Sequence, residues 1–182
     1  MSKPWLSLHC IVRDAEKSIS TLLTSIAGVF DEVVFVDTGS KDRTRALIAE
    51  HYGNTWEGPQ TVVTSPRGRS ERLVLASFDW VDDFAAARQF SYELGTAKWR
   101  CYLDADDQAS EFKTKDFRGM LERTEREHPE ANCISVKYDY VPHQMLQDTI
   151  RIVRWDDGWR WEDPVHEHLV GIDHGRVISK YT

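Results

Sequence analysis

The chain contains few cysteines, no long apolar run and no surplus of positive charge. No stretch approaches the ~18 apolar residues needed to cross a bilayer, and the N-terminus lacks an apolar segment with a small-residue cleavage site. We therefore expect a cytoplasmic protein without a membrane span. The three cysteines, Cys10, Cys101 and Cys133, lie far apart within strand-like runs, which predicts reduced core thiols rather than disulfides or a metal site.

Acidic residues outnumber basic residues, with 30 Asp+Glu against 23 Lys+Arg and a net charge of -7. This balance argues against a nucleic-acid partner, because binding to a phosphate backbone requires clustered positive charge. Hydrophobic residues make up 41% of the 182 residues, which is sufficient for a globular core. The length is close to that of one domain of ~150 residues, so we expect residues 1–182 to form a single domain.

The first half of the chain alternates short apolar runs with amphipathic helical patterns, which predicts an α/β fold with a mostly parallel sheet flanked by helices. The predicted strands of this half cover residues 6–12, 33–36, 61–63, 73–75 and 99–103. A polar stretch at 65–72 is interpreted as an exposed loop. After Pro129 the pattern changes, and residues 133–141, 150–155 and 159–161 predict a small antiparallel C-terminal part with a hairpin turn at Asp156–Gly158.

Four helices are predicted between these strands. Asp14 is expected to cap the first helix and Ser40 the second. Asp82 or Asp83 is expected to cap the third helix, which ends at Gly95, and Pro129 ends the fourth. The side chains expected to face the core are Ile19, Leu22, Leu23 and Ile26 in the first helix, Ala46, Leu47 and Tyr52 in the second, and Phe117, Met120 and Leu121 in the fourth.

Polar side chains follow three of the predicted parallel strands, at the edge of the sheet where α/β proteins bind ligands. They are Arg13, Asp14 and Glu16 after the first strand, Asp37 to Asp42 after the second, and Asp104, Asp106 and Asp107 after strand 99–103. Two carboxylates at 104 and 106 repel each other unless a cation or a set of donors compensates them, and a divalent ion is the usual compensation. A solvated acidic turn is the alternative interpretation.

Two further segments carry candidate functional residues. Asp83 and Arg88 lie on one helix and could both reach a ligand, with a surface salt bridge as the alternative. His166 and Glu167 follow Pro164 and could supply a metal ligand and a carboxylate base, while Trp161 could stack on a sugar face. Hairpin packing of the tryptophan and ordinary surface histidines are the alternatives.

Five segments taken together resemble family 2 glycosyltransferases with the GT-A nucleotide-sugar fold. These segments are residues 6–16, 32–44, 82–88 (DDFAAAR), 102–107 (YLDADD) and 165–167 (VHE). More narrowly, the chain is similar to a bacterial and phage branch that carries a DDFAAARN helix and a VHE motif. The likeness extends from about residue 6 to about residue 170, and its strength lies in the order and spacing of the five segments.

The resemblance implies an inverting transfer of a sugar from a nucleoside diphosphate sugar, with UDP-glucose as the first candidate and Mn²⁺ or Mg²⁺ as cofactor. It implies a Rossmann-like nucleotide-sugar half at 1–108 and an acceptor-side half at 109–182. The acceptor could be a protein, a lipid-linked saccharide or a polysaccharide. The residues implied are Glu167 as the catalytic base, Asp106 and His166 at the metal, and Val12, Arg13, Asp14, Glu16, Asp37, Thr38, Gly39, Asp83, Arg88, Asp104, Ala105 and Trp161 at the nucleotide sugar.

The chain departs from the family pattern at a few positions. Asp14-Ala15 stands where Asn-Glu is usual, Gln89 where Asn is usual, and Asp107 where Glu is commoner. The chain ends soon after residues 173–175, so we expect an acceptor-side half that is minimal or truncated. The alternative function is that of a non-catalytic module that binds a nucleotide sugar or glycan. A phosphatase with a D-x-D motif is a further alternative, which fits poorly because Gln108 follows the acidic run.

Overall fold

The fold is organised around an eight-stranded sheet. The computed structural model describes residues 4–64, 72–109, 116–140, 145–155, 158–171 and 177–181. The strands are β1 Leu6–Val12, β2 Glu32–Asp37, β3 Gln60–Thr64, β4 Arg72–Ser77, β5 Trp99–Tyr102, β6 Cys133–Tyr140, β7 Met145–Arg154, β8 Arg160–Glu162, β9 His168–Val170 and β10 Val177–Tyr181.

The order of strands in the large sheet is β10-β6-β7-β5-β1-β2-β4-β3. At its centre β1 pairs in parallel with both β2 and β5, and β2 pairs in parallel with β4. These runs are apolar because a parallel strand is covered on both faces. The mixed α/β class with a mostly parallel central sheet, predicted from the alternating pattern, is confirmed.

The predicted small antiparallel C-terminal part is confirmed, although two of its strands join the central sheet. β6 and β7 pair with each other, and β7 pairs with β5, so both extend the central sheet. Among the described residues, β8 and β9 form a small antiparallel sheet of their own. The predicted hairpin at Asp156–Gly158 is wrong, since the flanking strands β7 and β8 belong to different sheets. Asp156 and Asp157 themselves lie outside the described residues. The same holds for residues 65–71 of the predicted loop.

The helices are α1 Ile19–Ile26, α2 Thr44–His51, α3 Phe84–Leu94 and α4 Phe117–Glu127. Asp83 caps α3, because its carboxylate accepts a hydrogen bond from the Ala86 amide at 2.9 Å. The predicted caps of the first two helices are wrong. Ser18 is the N-cap of α1 and Arg43 that of α2, because α1 begins four residues later than a cap at Asp14 requires and α2 three residues later than a cap at Ser40 requires.

The core lies on both sides of the central strands. The predicted inner face of α1 is buried in full, and Phe117 and Leu121 of α4 are buried while Met120 packs partly against them. In α2, however, Ala46 is exposed, and Ile48 and Ala49 face the core. The cysteines Cys10, Cys101 and Cys133 are free and buried, as predicted.

Buried polar groups fix the C-terminal end of α3 against the sheet. The Arg100 guanidinium donates to the carbonyl oxygens of Tyr92, in the last turn of α3, and of Gly95 and Ala97, which follow the helix. The Glu32 carboxylate accepts from the amides of residues 96 and 97. Among the described residues, no helix is both long and apolar enough to cross a membrane.

Candidate active site

The carboxyl ends of β1, β2 and β5 lie side by side at one edge of the sheet. In the register of the parallel strands, Val12 is opposite Asp37, and His9 is opposite Tyr102. The segments that follow each strand therefore leave the sheet on the same side. This is the arrangement expected from the sequence, and it brings three of the five motif segments together.

Reciprocal hydrogen bonds join the segments after β1 and β2. The Asp14 amide donates to Ser40 Oγ at 3.0 Å, and Asp14 Oδ1 accepts from the Lys41 amide at 2.7 Å. In the same way, the Glu16 amide donates to Asp42 Oδ2 at 3.0 Å and Glu16 Oε2 accepts from the Arg43 amide at 3.2 Å. The carboxylates of residues 14 and 16 thus hold the two loops together, which explains why neither caps a helix.

Asp37 lies at the end of β2 and is 2% exposed. Its carboxylate accepts from the Gly39 amide at 3.3 Å and the Ser40 amide at 3.2 Å, and the Thr38 hydroxyl donates to the Val12 carbonyl at 3.2 Å. Gly39 has a φ of +107°, and a Cβ placed on it would meet no heavy atom within 4 Å. Glycine is therefore required here by the backbone conformation rather than by crowding, and the backbone at this loop is open to approach.

Residues 104–107 form a β-turn directly after β5. The Asp107 amide donates to the Asp104 carbonyl at 3.0 Å, and the Asp104 amide donates to Asp107 Oδ2 at 2.8 Å. Ala105 packs partly against the core, whereas Asp106 is exposed. The turn therefore directs its two end carboxylates inward and leaves one carboxylate at the surface.

Arg88 of α3 joins two of the predicted motifs. This side chain is 5% exposed. Its Nη2 lies 2.5 Å from Asp104 Oδ1, and its Nε lies 2.8 Å from Glu167 Oε1. In place of the surface salt bridge considered for Asp83 and Arg88, the buried Arg88 guanidinium links the helix, the 104–107 turn and the segment between β8 and β9, with the Asp104 side chain 36% exposed.

A second arginine, Arg151 of β7, binds the same turn from the other side. Its Nη1 lies 3.3 Å from Asp104 Oδ2 and 3.4 Å from Asp107 Oδ2. The Tyr138 hydroxyl donates to the other oxygen of Asp107. No role for Arg151 is predicted from the sequence, although an arginine inside the apolar run of β7 is an unusual position for a charged side chain.

These arginines determine the charges of the turn. Burial raises the pKa of Asp104, but the guanidinium groups of Arg88 and Arg151 outweigh burial and hold this pKa below its ordinary value. For Asp107, burial outweighs the attraction of Arg151, and the pKa of this carboxyl is raised. Burial lowers the pKa of Arg88, yet the Asp104 carboxylate more than offsets it and the pKa is raised.

The charge compensation differs from that inferred for a bare D-x-D pair. Asp104 is compensated by Arg88 and Arg151, so it requires no cation to be stable, and among the described residues no three His, Cys, Asp or Glu side chains form a group that could hold a metal ion. Asp106 remains exposed. A site with one protein carboxylate is compatible with Mg²⁺, which often binds through one or two carboxylates together with substrate phosphates.

The segment between β8 and β9 forms a turn that is tied to the start of α3. The Phe84 amide donates to the Pro164 carbonyl at 3.0 Å. Within the turn, Asp163 and His166 adopt positive φ values of 71° and 61°, and His166 is exposed. The Glu167 side chain points inward to Arg88, whereas His166 is exposed to solvent. The two predicted residues of this motif therefore have different surroundings.

Trp161 packs inside the protein. It is 6% exposed, and its ring lies 5.2 Å from the Arg88 guanidinium carbon and 4.9 Å from the Tyr102 ring. The alternative of hairpin packing therefore describes this tryptophan better than a surface for stacking on a sugar. Arg13 lies at the rim, with its guanidinium carbon 6.0 Å from the Trp80 ring.

The family model for Glycosyl transferase family 2 matches residues 7–154. A TPR repeat-containing protein of Synechococcus elongatus is 26% identical over an alignment of 201 positions, which covers 97% of this chain and 45% of that protein. The SPbeta prophage-derived glycosyltransferase SunS of Bacillus subtilis is 25% identical over an alignment of 175 positions, which covers 94% of this chain and 36% of that protein. The chain thus spans less than half the length of either relative.

Solved structures share the fold. The crystal structure of S. aureus TarS 1-349 in complex with UDP-GlcNAc has a TM-score of 0.54 and 20% sequence identity to this chain. The match covers 73% of this chain and 34% of that chain.

Proposed function

Since the chain belongs to glycosyl transferase family 2, we propose that it transfers a sugar from a nucleoside diphosphate sugar to an acceptor, with inversion at the anomeric carbon. The observation that carries this proposal is the buried bridge from Asp104 through Arg88 to Glu167. It unites three motif segments that are distant in sequence, beside the strand ends where α/β folds bind ligands.

The proposed donor is a uridine diphosphate sugar. Support comes from the shared fold with S. aureus TarS, which has been crystallised with UDP-GlcNAc. UDP-glucose is our first candidate and UDP-GlcNAc the second. We assign the nucleoside to the surface formed by Arg13, the loop at Asp37–Gly39 and the joined segments after β1 and β2, because the Gly39 backbone and the side chains of Arg13 and Asp14 are exposed there.

Glu167 is the proposed general base. Its side chain is 16% exposed, and Oε1 accepts from Arg88 Nε. Among the described residues none donates to Oε2, so this oxygen is available to take the proton of the acceptor nucleophile. As the proton leaves, the nucleophile bonds to the anomeric carbon, and the bond from that carbon to the diphosphate oxygen breaks with its electron pair on the leaving group.

Asp106 is the residue proposed to hold Mn²⁺ or Mg²⁺, with the exposed His166 as a second candidate. A divalent cation bound there would stabilise the negative charge of the departing diphosphate. Asp104 contributes differently: with both oxygens bound by arginines, it fixes Arg88 and through it the position of Glu167. The acceptor proposed is a protein side chain, a lipid-linked saccharide or a polysaccharide.

A donor screen tests the proposal. UDP-glucose, UDP-GlcNAc and a GDP-sugar are incubated with the protein in the presence of Mn²⁺, Mg²⁺ or EDTA, and release of the nucleoside diphosphate is measured. We expect metal-dependent hydrolysis of a UDP-sugar. Thermal unfolding gives a second measurement, because a donor at a hundred times its Kd adds about 2.7 kcal/mol of stability.

Two results would contradict the proposal. Stabilisation by a UDP-sugar without any turnover, with and without candidate acceptors, would identify a binding module rather than an enzyme. Neither stabilisation nor hydrolysis with any nucleotide sugar would exclude the donor class altogether.

A further inference from the structure

Arg151 occupies an unusual position for a charged side chain. It lies on β7 within the central sheet and is 4% exposed. Its guanidinium carbon is 4.4 Å from the ring centres of both Tyr102 and Tyr138. Burial of an arginine is unfavourable unless its charge is compensated. The compensating groups are Asp104 and Asp107, which are the two ends of the β-turn at 104–107.

The contacts of Arg151 determine the shape of this turn. Nη1 approaches one oxygen of each end carboxylate, at 3.3 Å and 3.4 Å. The same Asp107 oxygen accepts the Asp104 amide at 2.8 Å, and the Tyr138 hydroxyl holds the other oxygen. With both ends fixed, the two central residues have little freedom: Ala105 packs inward and Asp106 points to solvent.

We propose that Arg151 is a positioning residue for the transfer reaction, which holds both ends of the 104–107 turn so that Asp106 is presented in one fixed direction. The inference rests on the proposed function and adds to it a residue that touches neither donor nor acceptor. A planar guanidinium can bridge two carboxylates while its faces pack between two rings, whereas a lysine ammonium keeps the charge but loses this geometry.

The test compares Arg151→Lys with Arg154→Lys. Arg154 lies on the same strand, but its guanidinium donates to the carbonyl oxygens of Pro129 and Ala131, away from the turn. Mn²⁺ binding is measured by electron paramagnetic resonance in the presence of UDP, and UDP binding without metal is measured by calorimetry. Groups that orient a metal ligand typically change metal affinity by about 10- to 100-fold when altered. We expect a loss of this size for Arg151→Lys and none for Arg154→Lys, with metal-free UDP binding unchanged.

A second variant keeps the test decisive if Arg151→Lys does not fold. Tyr138→Phe removes only the hydroxyl that holds Asp107, and we expect it to weaken Mn²⁺ binding in the same direction but by less. Kinetics should agree: the Mn²⁺ concentration needed for half-maximal turnover should rise in Arg151→Lys, while urea unfolding should show a folded protein.

The outcomes separate the two proposals. If a folded Arg151→Lys protein binds Mn²⁺ with wild-type affinity, the role of Arg151 is overturned and the proposed function is left intact. If that variant does not fold, wild-type affinity in Tyr138→Phe leads to the same conclusion. Absence of Mn²⁺ binding by the wild-type protein with UDP would overturn the proposed metal site and the role of Arg151 together.

Discussion

Replacement of Glu167 by glutamine tests the proposed base with little change in shape. The amide oxygen of glutamine can still accept from Arg88 Nε, which lies 2.8 Å from Glu167 Oε1. The link between α3 and the turn after β8 should therefore persist. What disappears is the ability to accept a proton from the acceptor nucleophile.

The expected magnitudes of the two effects differ greatly. Loss of a general base slows a reaction by about 10²–10⁴-fold, which corresponds to about 3–5 kcal/mol in activation free energy. The cost to stability is smaller, because the charged Arg88 guanidinium still donates to the amide oxygen of glutamine, and the loss stays below the about 1.5–3 kcal/mol that a hydrogen bond to a charged group is worth. With an unfolding free energy of about 5–15 kcal/mol, the variant should remain folded.

Single-turnover rates and calorimetry with the UDP-sugar measure the two effects separately. Glu162→Gln is the matched control, because Glu162 lies on β8 and pairs only with the exposed Arg160 among the described residues. We expect a large fall in rate for Glu167→Gln, none for Glu162→Gln, and similar donor affinity in both. An unchanged transfer rate in a folded Glu167→Gln protein would refute the assignment of the base.

Three further predictions concern stability. Arg88→Met leaves two carboxylates without their shared cation, and urea unfolding should show a loss of about 3–5 kcal/mol; a loss below about 1 kcal/mol would contradict a buried bridge. Gly95→Ala places a Cβ 2.5 Å from the His9 ring, so its unfolding free energy should fall by about 1–3 kcal/mol, and an unchanged value would contradict this close packing. Burial raises the pKa of Asp31, but the Arg118 guanidinium and backbone amides outweigh burial and the pKa is lowered. The ionised Asp31 therefore stabilises the fold above pH 3.8, and this stabilisation is lost as the pH falls through the lowered pKa. The difference in unfolding free energy between wild type and Asp31→Asn should shrink on acidification, and a constant difference would contradict this prediction.

The elements of the first half were predictable because their signals are local. β1 and β2 are apolar runs that become buried, and α3 carries both its cap and its small inward residues within one segment. The caps assigned to Asp14 and Ser40 were wrong for a physical reason. These side chains bond to each other's loops, 26 and 27 residues away, and a local pattern contains no information on such partners.

The candidate site was predictable in its members but not in its connections. Arg88 is 16 residues from Asp104 and 79 from Glu167, and no local pattern indicates that one guanidinium joins both. The role of Arg151 was not predictable because its partners lie 44 and 47 residues earlier in the chain. Long-range pairing of charges depends on the register of β7 beside β5, which local periodicity does not determine.

The reciprocal hydrogen bonds between the segments after β1 and β2 have a consequence for affinity. Ordering a side chain during association costs about 0.5–1.5 kcal/mol. Here the segments under the proposed nucleoside surface are already held in place by hydrogen bonds from the amides of Lys41 and Arg43 to the carboxylates of Asp14 and Glu16. A ligand that binds there contacts groups that are already ordered, so its contacts contribute to the binding free energy with little loss of conformational entropy in the protein.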